Sequence, residues 1–114
     1  MKFEMLPEYQ RDLKRLLKKY RTLEKDLNVV RKVLKVRAGA SPPMSVRIEG
    51  LKLSTCVIKI RRIASDSFKG KGSNSGLRLV YAHFEKEDRI ELVELYHKNE
   101  KDKEDRERIK RNFE

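Results

Sequence analysis

Lysine and arginine at alternate positions of a β-strand project from the same side of a sheet, and the run VIKIRR at 57–62 sets Lys59 and Arg61 in that relation. Further along, the run GLRLVY at 76–81 alternates again. Leu77, Leu79 and Tyr81 form an apolar side suited to packing under helices, which leaves Arg78 and Val80 on the other. Lys59, Arg61 and Arg78 are therefore predicted to share one open sheet face. Converging cations are suited to phosphate, and a guanidinium adds a planar fork that donates two parallel hydrogen bonds. Solvated strand positions that guard a sheet against aggregation are the bland reading of such residues. The local charge balance argues against it: residues 45–84 carry eight Lys or Arg against two acids, Glu49 and Asp66, within a chain of net charge +11. A phosphate backbone would bind such an unbalanced segment.

Other chemistries find little support. Two His, one Cys and scattered carboxylates show no metal-ligand spacing, so neither metal nor other cofactor is expected. No nucleophile-elbow motif surrounds any serine. Cys56 has no partner for an internal disulfide and sits among apolar neighbours, which suits a cytoplasmic protein. No secretory leader is read at the N-terminus, where Glu4 and Glu8 interrupt the apolar cluster, and no apolar run is long enough for a membrane span. Lys69 and Lys71 stand in KGKG, which lacks the Walker spacing; mobile phosphate contacts and simple solubility fit them equally. His83 falls with Leu79 and Tyr81 and is expected to be a core histidine. His97 immediately precedes Lys98 where the last strand ends, is expected to be more open, and is a candidate to touch a nucleic acid as an acid–base group or stacking partner.

These residues need elements to position them. Lys2 and its neighbours from Met1 to Leu6 read as a short strand, and Pro7 suits the first turn of a helix. Tyr9, Leu13, Leu16, Leu17 and Tyr20 then make one apolar stripe. Thr22 is a predicted N-cap of a second helix running to about Val36, and the Gly- and Pro-containing stretch 38–45 ends it. Strands are predicted over Thr55–Ala64, Leu77–Phe84 and Arg89–Tyr96, with a polar hairpin turn at 85–88 and a mobile loop at 65–76. Residues 46–53 are ambiguous. Asp102 is read as the cap of a marginal C-terminal helix anchored by Ile109 and Phe113. The expectation is one α+β domain over 1–114 in the order β-α-α-β-β-β-α. Strand and helical hairpin occupy 1–37, the sheet with the basic site 46–98, and the last helix 102–113. The helices pack on one sheet face.

With these elements in place, the chain resembles the RelE and HigB toxins of bacterial toxin–antitoxin pairs. The likeness rests on the helical hairpin followed by VIKIRR at 57–62, KGKG at 69–72, GLRLVY at 76–81 and LYHKNEK at 95–101. The resemblance implies a small, antiparallel-rich sheet of the microbial-ribonuclease-like kind and cleavage of mRNA in the ribosomal A site beside ribosomal RNA. It further implies inhibition by a cognate antitoxin, in a heterotetramer of two pairs, and no membrane partner. Carried over by position, Lys59 and Arg61 match the basic pair on the long strand, Arg78 the arginine of G-x-R-x-x-Y, and Lys98 the basic residue after the last strand. Tyr96 and His97 lie near the place where some relatives carry a catalytic tyrosine or histidine, without aligning cleanly.

RNA cleavage without a metal needs the 2′-hydroxyl deprotonated, charge on the phosphate stabilised and the leaving 5′-oxygen protonated. Arg78 is the expected clamp. Lys59 is the expected base, on the argument that crowding by Arg61 and Arg78 disfavours its ammonium form. Lys98 or Arg61 would serve the leaving oxygen, and Arg62, Lys69, Lys71 and His97 would add RNA contacts. Two other functions remain open at this point: a DNA-gyrase inhibitor of the same fold, as ParE relatives are thought to be, and a non-catalytic RNA-binding module. Against the module, the presumed open face lacks aromatic stacking platforms.

Overall fold

The structure is a computed structural model that describes residues 1–65, 67 and 75–114. Among these residues five strands form one sheet: β1 (Lys2–Met5), β2 (Ser45–Arg47), β3 (Cys56–Ile60), β4 (Leu77–Phe84) and β5 (Arg89–His97). Their spatial order is β1-β5-β4-β3-β2, with β1 parallel to β5 and every other pair antiparallel. Helices α1 (Pro7–Leu17) and α2 (Leu23–Val36) follow β1, and α3 (Arg106–Phe113) follows β5. The α+β class and the three helices are as expected. The ambiguous 46–53 region contributes the end of the additional edge strand β2.

Pro7 occupies the first turn of α1, where a missing N–H costs nothing. Tyr9 and Leu16 from α1 and Leu23, Leu27 and Leu34 from α2 bury against Leu79, Tyr81 and Leu95. Thr22 does not cap α2 through its side chain; its hydroxyl turns instead to Asp26, 3.2 Å away, and to Ser67, 2.6 Å away. The hairpin at 85–88 is a single 3₁₀ turn closed by Asp88 in the left-handed region (φ 48°), a conformation that Asp tolerates better than most residues.

Cross-strand partners share a sheet face, so the register sorts the side chains. Ile58, Leu79, Tyr81, Leu95 and His97 lie on the side of α1 and α2, where the Tyr81 hydroxyl donates to the Ala38 carbonyl. Lys59, Arg78, Val80, Glu94 and Tyr96 lie on the other, the front face. The helices do not all pack on one side. α3 and the segment before it lie on the front face, where the Phe113 ring meets Phe84 at 6.2 Å between centroids and Ile109 is fully buried. The cap is Asp105, whose carboxylate accepts from the Arg108 amide at 3.0 Å, rather than Asp102. Far from being marginal, α3 belongs to the core, because Ile109 finds apolar sheet surface that periodicity along its own helix cannot reveal.

Beyond the end of β1, the outer edge of β5 is closed by side chains. Asp12 of α1, 5% exposed, accepts from the Leu95 amide at 3.1 Å, and Arg108 of α3 reaches round the edge to donate to the Val93 carbonyl (2.9 Å) and to Asp12 (2.7 Å). One carboxylate thus ties α1, β5 and α3 together.

Candidate nucleic-acid site

Strand β3 ends at Ile60, short of the predicted Ala64, because the next amides turn to another partner: Arg61 and Arg62 both donate to the Met44 carbonyl (2.8 and 3.3 Å). Arg61 therefore leaves the sheet, and its guanidinium is exposed, without a partner among the described residues. Arg78 is half-buried on the front face and spends one guanidinium nitrogen on backbone, donating to the carbonyls of Arg61 (2.9 Å) and Leu77 (3.2 Å). Its other nitrogens have no hydrogen-bond partner among the described residues. Lys98 is exposed and its amide donates to the Gly76 carbonyl at 2.9 Å. Gly76 has φ +91°, and a Cβ built there would lie 2.6 Å from the His97 ring and 3.2 Å from the Lys98 side chain. A side chain at residue 76 would therefore force this end of β4 away from the end of β5. Arg61, Arg78 and Lys98 consequently gather at one end of the sheet.

Lys59 stands in a different environment from the one the sequence suggested. Its ammonium lies 2.7 Å from Glu104, in the segment that leads into α3, and only 18% of its side chain is exposed. A carboxylate, rather than crowding guanidinium groups, is its nearest charged neighbour, so the argument for Lys59 as a neutral base fails. Glu104 is also held by Arg106 at 2.8 Å. Burial alone would raise its carboxyl, but hydrogen bonds from Lys59 and Arg106 outweigh burial and hold it below the ordinary carboxylate range.

Two further residues belong to this face: Glu94, which sequence reasoning missed as well, and Tyr96, which it noted only through the family resemblance. Glu94, 1% exposed, bonds the Lys101 ammonium and accepts from the Asp105 amide at 2.8 Å. Tyr96 is 1% exposed, and its buried hydroxyl has no hydrogen-bond partner among the described residues. Burial, reinforced by Glu104 and Glu94 and opposed by Arg78, pushes its pKa up to about 12, so it remains a neutral phenol at physiological pH. The signals for these residues were faint: Glu94 and Tyr96 alternate within a strand otherwise read for its apolar side, and Glu104 sits in a mixed-charge run that resembles solvated surface.

The remaining expectations divide. His97 is buried, not open: its Nδ1 accepts from the Asn99 amide (3.1 Å), leaving Nε2 as the N–H that donates to the Ser75 carbonyl (2.9 Å), while the ring stacks on Tyr20. It braces the site from the helix side, behind the front face. Arg62 departs from Arg61 and lines a cleft of about 300 Å³ on the helix side, with Val29, Val33 and Met44. Lys69 and Lys71 lie outside the described residues. His83 is half-buried on the helix side, opposite Cys56. Among the described residues no group of His, Cys, Asp and Glu could hold a metal ion, and no helix is long and apolar enough to cross a membrane.

Comparison of the chain with protein-family models, with curated proteins and with solved structures returns no match. The geometry of this face therefore carries the functional reading by itself, beside the motif resemblance described above.

Proposed function

We propose that this chain is an mRNA-cleaving toxin of the RelE/HigB type, acting without a metal in the ribosomal A site, and neutralised by a cognate antitoxin. The observation that carries the proposal is the gathering of Arg61, Arg78 and Lys98 at one end of the sheet, with the Glu104 carboxylate and the Tyr96 phenol on the adjoining front face. Such a set can serve a phosphodiester. Arg78 clamps the phosphate, with Arg61 and Lys98 adding charge where it develops in the transition state. Lys59, paired with Glu104, contributes positive charge. The carboxylate beside it is Glu104, buried and held by Lys59 and Arg106 in the free protein; it would take the 2′-hydroxyl proton once bound RNA draws these cations to phosphate and restores its basicity. Protonation of the leaving 5′-oxygen falls to Lys98, a better donor than arginine.

The test is cleavage mapping on translating ribosomes with purified protein. Cuts within codons of A-site mRNA are expected, and Arg78→Ala should lower the rate by about 10²–10³, the usual cost of removing one preorganised donor to transition-state charge. Intact mRNA with arrested gyrase supercoiling would instead establish the gyrase-inhibitor reading. RNA binding without cuts would establish a non-catalytic module.

A further inference from the structure

The largest surplus of positive charge lies away from the candidate site. Residues 7–37, the helical hairpin, contain eleven Lys or Arg and only four acids. Three of those acids are occupied internally. Asp12 is buried against Arg108, Asp26 is buried and accepts from Ser65 and Thr22, and Glu8 pairs with Arg111 at 2.7 Å. Glu24 alone is an exposed acid on the hairpin.

The cations, by contrast, point outward. Tyr9, Asp12 and Leu16 define the buried side of α1, and Arg11, Lys14 and Lys18 recur at helical spacing on the opposite side, with Arg21 next in the turn. On α2, Lys32 and Lys35 are likewise exposed, on the side away from buried Leu27 and Leu34. All six are exposed, and none has an ion-pair partner among the described residues. Because the hairpin covers one face of the sheet and Lys59, Arg78 and Tyr96 occupy the other, this patch and the candidate site lie on opposite sides of the molecule.

We infer that the outer face of the helical hairpin is a second nucleic-acid surface, one that binds the backbone of double-helical RNA while the front face receives the strand to be cut. The inference rests on the RNA-cleaving reading for its choice of polyanion and adds to it a separate docking surface. A duplex fits better than a single strand. Single-strand binding relies on exposed aromatic rings for stacking, but on the hairpin Tyr9 is fully buried and Tyr20 is stacked against His97. A row of cations without stacking platforms reads phosphates and shape, the features that double-helical RNA presents.

The test uses a fluorescently labelled RNA duplex of about 16 base pairs, enough to fill a typical double-strand-binding surface, and one of its strands alone. Anisotropy is recorded from roughly 50 to 200 mM salt. The triple variant Lys14→Gln, Lys18→Gln, Arg21→Gln should bind the duplex at least about tenfold more weakly, with a salt slope shallower by about 2.7, that is roughly 0.9 per lost phosphate contact. Its thermal midpoint should match the wild type, since only exposed side chains change. Arg78→Ala should leave duplex binding within about twofold. The inference is overturned if the triple variant retains the wild-type affinity and slope, if Arg78→Ala weakens duplex binding as much, or if the single strand binds as tightly as the duplex and loses as much. It is likewise overturned if the triple variant loses polyglutamate instead of duplex, which would mark the patch as a site for an acidic protein. Failure of the nuclease reading looks different: mRNA stays whole with the wild-type protein while duplex binding persists.

Discussion

Glu104 is the residue on which binding and chemistry separate. It neutralises Lys59 in the free protein and, in the proposed mechanism, takes the proton from the 2′-hydroxyl. Glu104→Gln removes the charge but keeps the shape. It should bind a non-cleavable single-stranded RNA more tightly than wild type, because Lys59 is released for phosphate, while cleavage falls by about 10²-fold or more, the contribution typical of a positioned acid–base group. Filter binding and single-turnover cleavage on the same variant separate the two effects. Cleavage at the wild-type rate would return the base role to another group. Gly76 provides a second residue-scale expectation. An alanine there meets the His97 ring in a backbone conformation with φ +91°, so Gly76→Ala should destabilise by about 1–3 kcal/mol in denaturant unfolding. The cations of the site were legible residue by residue. Their environments were not, since the sequence shows that Lys59 alternates with Arg61 but not that a carboxylate 45 positions away closes on it.

At the scale of elements, α3 shows where reading a sequence along one helix stops working. Two apolar residues among charges describe a helix with little to bury, yet Ile109 is fully buried and Phe113 meets Phe84. The information lies in the front face of β4 and β5, whose Val80 and Phe84 were visible as strand residues without a stated partner. Ile109→Ala should therefore cost about 2–5 kcal/mol, as for a core aliphatic, whereas a frayed helix would show almost none; thermal or denaturant unfolding distinguishes them. Helices α1 and α2 and strands β4 and β5 emerged from periodicity because each buries one side against the main core. β3 was overestimated since apolar alternation continues past Ile60, while the actual end is set by Arg61 and Arg62 amides bonding to Met44. Periodicity reports burial and does not report where a backbone finds its next acceptor.

For the molecule as a whole, acid should loosen the front face first. Glu104 and Glu8 both have folded pKa values held below the ordinary range. For Glu8, burial raises the carboxyl and is outweighed by hydrogen bonds from Arg111 and Asn112. A depressed carboxylate contributes stability that is complete above its unfolded pKa, near about 4.3, and is lost as pH falls through the lower folded value. Both acids tie the C-terminal segment to the body. Below about pH 4 the protection of α3 amides from hydrogen exchange should therefore fall before that of β4 and β5. Equal loss in all three would show that α3 is not a separate acid-sensitive unit. Charge across the whole chain was also only partly legible. The strand cations of residues 45–84 stand out in the sequence, whereas interleaved acids in the hairpin look neutralising until the fold shows that Asp12 and Asp26 have turned inward.

The contact of Asp12 and Arg108 with the edge of β5 has a consequence for behaviour in concentrated solution. A sheet offers its unpaired edge amides to any passing strand, and copies of a basic protein gathered along one RNA would meet at high local concentration. On one side of this sheet that edge is short, three residues in β2. On the other, the edge strand is β1, four residues long, and past its end the amide of Leu95 and the carbonyl of Val93 are already taken by side chains of the same chain. Neither outer strand exceeds four residues, so crowding on a polyanion finds only short edges for strand-to-strand fusion. Asp12→Ala should reverse this: besides leaving Arg108 without its buried partner, at about 3–5 kcal/mol, it should make light scattering rise with RNA concentration where the wild type stays clear.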